Sequence, residues 1–250
     1  MSAMHPSLPS FFKKLVSLLK PDLTLIQSYE TESMFKRLGC RVEFLPCGVD
    51  VKKFTPVTAE TKIKLRKKYG IEKEKFVILH VGSIKEGRNI QFLTKLQKED
   101  NQVLIIGATS TGINQKLCQE LRKSGCLVWT KYFEHIEEIY GLSDCYVFPV
   151  MFKVDFTGRP VSDSIEMPLS IIEAMACNLP VISTKFGALP RIFHEKEGLI
   201  YANREEDFLQ AVKKIKNGIN VRNREKVLPY SWEKVAEKLQ QIYSYLISKY

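Results

Sequence analysis

Short apolar runs bounded by glycine, proline or asparagine recur along this chain, and between them lie stretches whose apolar residues return every three or four positions. The runs Leu23–Gln27, Val42–Leu45, Phe76–Val81, Val103–Ile106, Cys126–Trp129, Asp144–Phe148, Val181–Thr184 and Gly198–Tyr201 read as strands. Helices are predicted over Ser7–Leu19, Glu30–Leu38, Thr58–Tyr69, Gln115–Ser124, His135–Tyr140, Leu169–Cys177 and Glu205–Lys216, and Ser231-Trp232 opens a last one. Phe208, Leu209, Val212 and Ile215 share one face of Glu205–Lys216, and the last helix carries the stripe Trp232, Val235, Leu239, Ile242 and Tyr243. One more helix is expected to open from the turn Gly82–Asn89, directly behind a strand. Strands alternating with helices, with no internal repeat or low-complexity tract, predict an α/β fold built on a doubly wound, Rossmann-like parallel sheet. Ligands of such sheets bind beyond the carboxyl ends of the strands, which makes the following turns the places to look for chemistry.

The most informative of these places is Ser164–Thr184, read SIEMPLSIIEAMACNLPVIST. Leu169, Ile171, Ile172, Ala174, Met175 and Ala176 leave its helix almost without a polar face, so it should lie sandwiched between other elements. Asn178-Leu179-Pro180 ends it, because asparagine tolerates a left-handed turn and proline cannot continue a helix. Glu173 is the charge inside this apolar helix, and a buried carboxylate without a partner is costly. Either it is tied to a nearby backbone amide or lysine, or it holds the hydroxyls of a ligand.

The turn Gly82–Asn89 is the second candidate. A glycine-bearing turn between strand and helix aims backbone amides at a position where a phosphate can sit, and Lys85 and Arg88 add positive charge. A solvated basic loop is the plainer reading of the same residues. The loop Met151–Asp163, with Lys153, Asp155 and Arg159, leads into the central helix.

Composition narrows the partners. With 250 residues, 44% of them hydrophobic, the chain can bury one large domain or two small ones, and no apolar run approaches the ~20 residues of a membrane span. The start reads as an amphipathic first helix without a signal peptide's apolar stretch and cleavage site. Six cysteines, at 40, 47, 118, 126, 145 and 177, show neither a CxxC pair nor zinc spacing and read as reduced core residues, which points to the cytoplasm. A formal net charge of +10 calls for an anionic partner: a phosphorylated substrate, an anionic membrane surface touched peripherally, or nucleic acid. Nucleic acid is not expected, because the lysines are spread along the chain and no basic run is interleaved with aromatics.

Several of these segments together resemble the group 1 (family 4) retaining glycosyltransferases of GT-B fold. Glu173-Ala174-Met175-Ala176 is similar to the second half of that family's two-glutamate signature. An eight-residue offset from Glu173 falls on Ile165, so Glu166 is the nearest acid for the first half, and Pro168 stands where the family has glycine. Cys47-Gly48-Val49-Asp50 followed by Phe54 resembles the interdomain linker, Phe186-Gly187-Ala188-Leu189-Pro190 the Gly-Gly-x-Pro turn, and Asp144–Pro149 the strand ending in proline. Gly82-Ser83 and Gly87-Arg88 stand in for the family's Gly-Arg and Lys-Gly, and Arg191 replaces a usual glutamate. The resemblance covers roughly residues 22 to 248.

What the resemblance implies is the second half of a two-domain architecture whose complete form has about 350 to 400 residues. Residues 1–46 would be the remnant of an N-terminal Rossmann-like domain, 47–228 a nucleotide-sugar-binding domain, and 229–250 a helix crossing back. The implied activity is a hexosyltransferase-like transfer from a nucleotide-diphosphate sugar to an acceptor, a second chain or a homo-oligomer supplying the acceptor domain. Glu173 would hold the ribose hydroxyls, Lys85 and Arg88 the diphosphate, and Glu166, in the catalytic position, the sugar. Gly82, Leu169, Gly187 and Ala188 would line the donor. No cofactor or metal is expected, the cationic groups taking a metal's place. No side chain stands out as a base, and none is required where the leaving phosphate oxygen assists the acceptor. The rival readings are a nucleotide-sugar epimerase of the same fold and a catalytically inactive nucleotide-sugar-binding or interaction subunit.

Overall fold

A computed structural model of the protein describes residues 15, 18–107, 112–151 and 166–248. In chain order its elements are β1 (Thr24–Ile26), α1 (Tyr29–Arg37), β2 (Val42–Phe44), α2 (Ala59–Tyr69), β3 (Phe76–Gly82), β4 (Asn101–Gly107), α3 (Gln115–Lys123), β5 (Leu127–Trp129), α4 (Ile136–Leu142), β6 (Cys145–Phe148), α5 (Leu169–Ala176), β7 (Val181–Ser183), α6 (Leu189–Ile192), β8 (Leu199–Tyr201), α7 (Glu205–Lys216), α8 (Asn223–Val227) and α9 (Trp232–Ile247). Among the described residues the strands form two sheets, a pair β1-β2 and a six-stranded sheet in the order β5-β4-β3-β6-β7-β8. All pairings are parallel. The chain therefore builds outward from β3 to β5, returns beside β3 as β6, and builds outward again, which is the doubly wound arrangement the apolar runs predict. Most of Ser7–Leu19 lies outside the described residues, as do Lys153, Asp155 and Arg159.

Alternation along each strand divides the core into two layers. Val77, Leu79, Leu104 and Tyr146 face one way and meet Ile171, Ile172, Ala174 and Met175 of α5. Ile78, Val103, Ile105, Val147 and Ile182 face the other and meet Leu117 and Cys118 of α3 with Phe208 and Val212 of α7. The six cysteines are buried free thiols, all but Cys40 within these two layers.

Helix ends follow local chemistry. The Thr58 side chain accepts from the Thr61 amide at the start of α2, and Gly70 closes that helix at φ +66°. Asn178 turns at φ +55° two residues beyond α5, and the Ser231 hydroxyl caps α9. One expectation is corrected: a 3-10 segment, Ile90–Leu96, follows the Gly82–Asn89 turn in place of an α-helix. Its buried residues include Ile90, Leu93 and Leu96, a spacing of three that aligns on a 3-10 segment and drifts around an α-helix.

The N-terminal pair of strands is tied to the larger sheet by side chains. Arg191 on α6 pairs with Glu32 of α1 and lies 4.2 Å above the Phe44 ring and 4.7 Å above the Tyr29 ring. Arg224 on α8 donates to the carbonyls of Phe54 (2.8 Å), Ala176 (2.7 Å) and Val51 (2.9 Å), fixing the connection after β2 against the end of α5. The chain entering α9 lies on the same connection, through Val49 N–H to Tyr230 O (3.0 Å) and Trp232 N–H to Val49 O (3.2 Å). Gly48 permits this approach, since a Cβ there would meet the Trp232 ring at 2.5 Å. Farther along α9, Lys238 donates to Phe44 O at 2.7 Å. The apolar stripe is thus divided: Val235 is buried, whereas Tyr243 is exposed.

Candidate active site

The order of the six-stranded sheet reverses between β3 and β6, the position at which such sheets open a crevice for their ligands. The β3–β4 ladder continues to Gly82 and Gly107, but the β3–β6 ladder ends at Leu79 and Tyr146. Beyond that point side chains join the separating strands. The Tyr146 hydroxyl donates to Val81 O at 3.1 Å, His80 Nδ1 lies 2.9 Å from Val147 O, and Asn89 Nδ2 donates to Pro149 O at 3.0 Å. A carbonyl can only accept, so Nδ1 of His80 carries the proton and Nε2 is a bare acceptor. Burial, with a smaller contribution from the Arg88 charge, lowers the His80 pKa to about 4 and keeps the ring neutral.

Glu173 stands on α5, half-buried in a helix otherwise apolar on all sides but its first turn. The Tyr140 hydroxyl of α4 donates to its Oε2 at 2.6 Å. Burial pushes the carboxyl above the usual carboxylate range, against the pull of that hydrogen bond and of the Lys53 charge. The partner is therefore a phenol, and neither the amide nor the lysine of the plainer expectation bonds to it directly. Tyr140 is fully buried, edge-on to Phe54 at 5.5 Å and stacked on Tyr146 at 6.1 Å. The Tyr146 hydroxyl lies 2.7 Å from Ser170 Oγ in the first turn of α5. A continuous set of contacts thus runs from Val81, next to Gly82, through Tyr146 and Tyr140 to Glu173.

Glu166 occupies a different wall. It is buried, its Oε1 accepts from the Ser28 hydroxyl at 3.0 Å, and its backbone carbonyl accepts from the Ala188 amide at 2.7 Å. Ser28 is the N-cap of α1, so the N-terminal pair of strands reaches this carboxylate directly. Gly187, at φ +55°, makes the turn that brings Ala188 to it. Arg88 is buried and Leu169 is exposed. Lys85 lines an open hollow of about 350 Å³ with Gly87, Asn89, Asn114 and Lys116. Glu173 and Tyr140 do not line that hollow, which lies on the α3 side of the loop.

The sequence-predicted residues thus fall into a Gly82, Lys85, Arg88 group on one side of the crevice, a Glu166, Gly187, Ala188 group on another, and Glu173 with Leu169 on α5 between the strands. Tyr140, Tyr146, His80 and Ser28 were missed. A tyrosine or histidine inside an otherwise apolar strand or helix was the available signal, since its polar atom needs a partner once buried. Among the described residues no three His, Cys, Asp or Glu side chains are grouped to hold a metal ion. No described helix is long and apolar enough to cross a membrane.

The geometry can be set beside known proteins. The chain is 28% identical over 200 residues to a GDP-mannose-dependent monoacylated alpha-(1-6)-phosphatidylinositol monomannoside mannosyltransferase of Corynebacterium glutamicum, covering 75% of this chain and 50% of the relative. It is 25% identical over 246 residues to a D-inositol 3-phosphate glycosyltransferase of Corynebacterium jeikeium, covering 89% of this chain and 54% of that one. The chain thus spans about half the length of these curated relatives. Among solved structures, a sucrose-phosphate synthase of Thermosynechococcus elongatus superposes with a TM-score of 0.77 at 19% identity, covering 97% of this chain and 63% of that one. HepE of Anabaena, solved in complex with UDP-glucose, gives a TM-score of 0.72 at 15% identity, covering 96% and 68%. These two show the shared GT-B arrangement. The family model described as "Glycosyl transferases group 1" matches residues 75–217, more than half of the chain. The chain belongs to the group 1 glycosyl transferases.

Proposed function

We propose that this chain is the donor-binding half of a retaining glycosyltransferase, moving a sugar from a nucleotide-diphosphate sugar to an acceptor held by the other half of the architecture. The observation that carries the reading is Glu173, a half-buried carboxylate held by a buried phenol beside the strand-order reversal, in a chain of this family. In this reading Glu173 accepts from the ribose hydroxyls. Lys85 and Arg88, with the amides after Gly82, neutralise the diphosphate, while the Gly187-Ala188 turn and Leu169 line the sugar side. The relatives are named for mannosyl and inositol phosphate chemistry and one structure for its UDP-glucose complex, which supports an activated sugar as the ligand class.

Glu166 is the residue assigned to the sugar, and its hydrogen bond from Ser28 favours a second reading, a subunit that binds nucleotide sugar without turning it over. In the first reading Ser28 releases the carboxylate, or shares it, when the donor sugar arrives. Calorimetric titration with UDP, GDP and ADP, with and without attached sugars, tests the common part. Saturable binding of one base is expected, and Glu173→Ala should weaken it about tenfold or more, the worth of a hydrogen bond to a charged group. A folded Glu173→Ala protein with unchanged affinity would remove Glu173 from the ribose site. Turnover once the acceptor-binding half is supplied separates the two readings.

A further inference from the structure

We propose that Tyr140 is the positioning residue for ribose recognition: its hydroxyl fixes one oxygen of Glu173 and leaves the other directed at the 2′ and 3′ hydroxyls of a nucleotide. The proposal rests on the donor-site reading and adds a residue and a selectivity to it. Among the described residues Tyr140 is the hydrogen-bond partner of Glu173, at 2.6 Å to Oε2, and Oε1 has none. An ionised carboxylate offers about four lone-pair positions, so Oε1 and the second lone pair of Oε2 remain for a vicinal diol.

Three features make the phenol a fixed donor. Its ring is clamped edge-on by Phe54 at 5.5 Å and face-on by Tyr146 at 6.1 Å, so the rotamer is set from two sides. Tyr146 is anchored in turn at Val81 and Ser170. Burial, reinforced by the Glu173 charge, pushes the Tyr140 hydroxyl well above the usual tyrosine range, so it keeps the proton it donates to the carboxylate. A carboxylate whose ionisation is opposed by burial gains most from such a donor. The titratable and charged groups around Glu173 are Tyr140 and Glu137 of α4, Lys53 of the connection after β2, Tyr146 of β6, Cys177 behind α5, and Arg224 of α8 at the end of that helix.

Tyr140→Phe removes one oxygen and keeps the ring packing. In the full chain, calorimetry should show ribonucleoside diphosphate binding weakened roughly tenfold, while the 2′,3′-dideoxy nucleotide binds as it does to wild type. The acid limb of ribonucleotide affinity should move to higher pH, because the hydrogen bond that favours the ionised carboxyl is gone. In a Glu173→Gln background Tyr140→Phe should add nothing to ribose discrimination. Equal weakening of both nucleotides, or an unmoved acid limb, overturns the proposal. A carbon-13 NMR titration of the Glu173 carboxyl without ligand separates the two levels. An unraised pKa in Tyr140→Phe overturns the positioning role whatever binds. A raised pKa in a protein whose wild type binds ribo and dideoxy nucleotides alike overturns the donor-site reading and the ligand role with it.

Discussion

His80 shows how one buried polar side chain serves a sheet where its ladder stops. Either charge state of the ring can donate Nδ1–H to Val147 O, and that bond favours the charged one, but burial outweighs it and lowers the pKa to about 4. Folding thus favours the neutral form, and the unfolded chain takes up the proton first. The stability His80 contributes is complete above the unfolded value near 6.5 and is lost as pH falls through about 4, a change of about 3 kcal/mol. Urea unfolding at neutral and acid pH should show this loss in wild type and not in His80→Gln, which still offers a donor to Val147 but does not titrate. Equal acid sensitivity of the two proteins would mean that other groups set the limb. At this scale the sequence was partly legible. Glu173 announced itself as a lone charge in an apolar helix, and Asn178 as a left-handed stop. The roles of His80, Tyr140 and Tyr146 were hidden because their partners lie 67, 33 and 65 positions away.

At the scale of elements, α6 is a four-residue helix whose Arg191 ties down a whole supersecondary unit. Its guanidinium meets Glu32, Tyr29 and Phe44, and together with the Ser28–Glu166 bond it holds β1, α1 and β2 to the larger sheet from that side. Arg191→Ala should cost about 1 to 2 kcal/mol, the sum of a part-buried ion pair and two cation–π contacts. Hydrogen exchange should speed up in β1, α1 and β2 and stay unchanged in β3 and β4, and uniform acceleration would mean the unit does not open separately. Gly48→Ala attacks the other attachment, where the new methyl meets the Trp232 ring. A loss of about 1 to 3 kcal/mol is expected from such overpacking, and a melting temperature equal to wild type would refute it. Strand runs such as Phe76–Val81 and helix starts near Thr58 and Ser231 were readable because their signals are local. The 3-10 segment was not, because the spacing of three in Ile90, Leu93 and Leu96 runs over too short a stretch to be told from an α-helical period in the sequence.

For the whole molecule the parallel sheet was legible from the alternation of apolar runs with amphipathic ones, and the site's neighbourhood from the turns behind those strands. What stayed illegible is the joining of distant walls, Ser28 to Glu166 across 138 positions and Arg191 to Glu32 across 159. The formal net charge of +10, from 38 Lys and Arg against 28 Asp and Glu, acts at this scale too. Nucleoside diphosphate affinity should fall several-fold between about 0.05 M and about 0.5 M salt, as screening shortens the reach of the cationic loop. Affinity indifferent to salt would take Lys85 out of the diphosphate site, Arg88 being buried and less screened.

The early end of the β3–β6 ladder has a consequence for descent with modification. Where backbone bonds hold two strands together, widening the gap breaks the fold. Here the gap beyond the ladder is bridged by the side chains of His80, Tyr146 and Asn89, while the ladders on either side continue on backbone bonds. A substitution at the half-buried Asn89 can therefore change the spacing of the two strands without breaking a ladder.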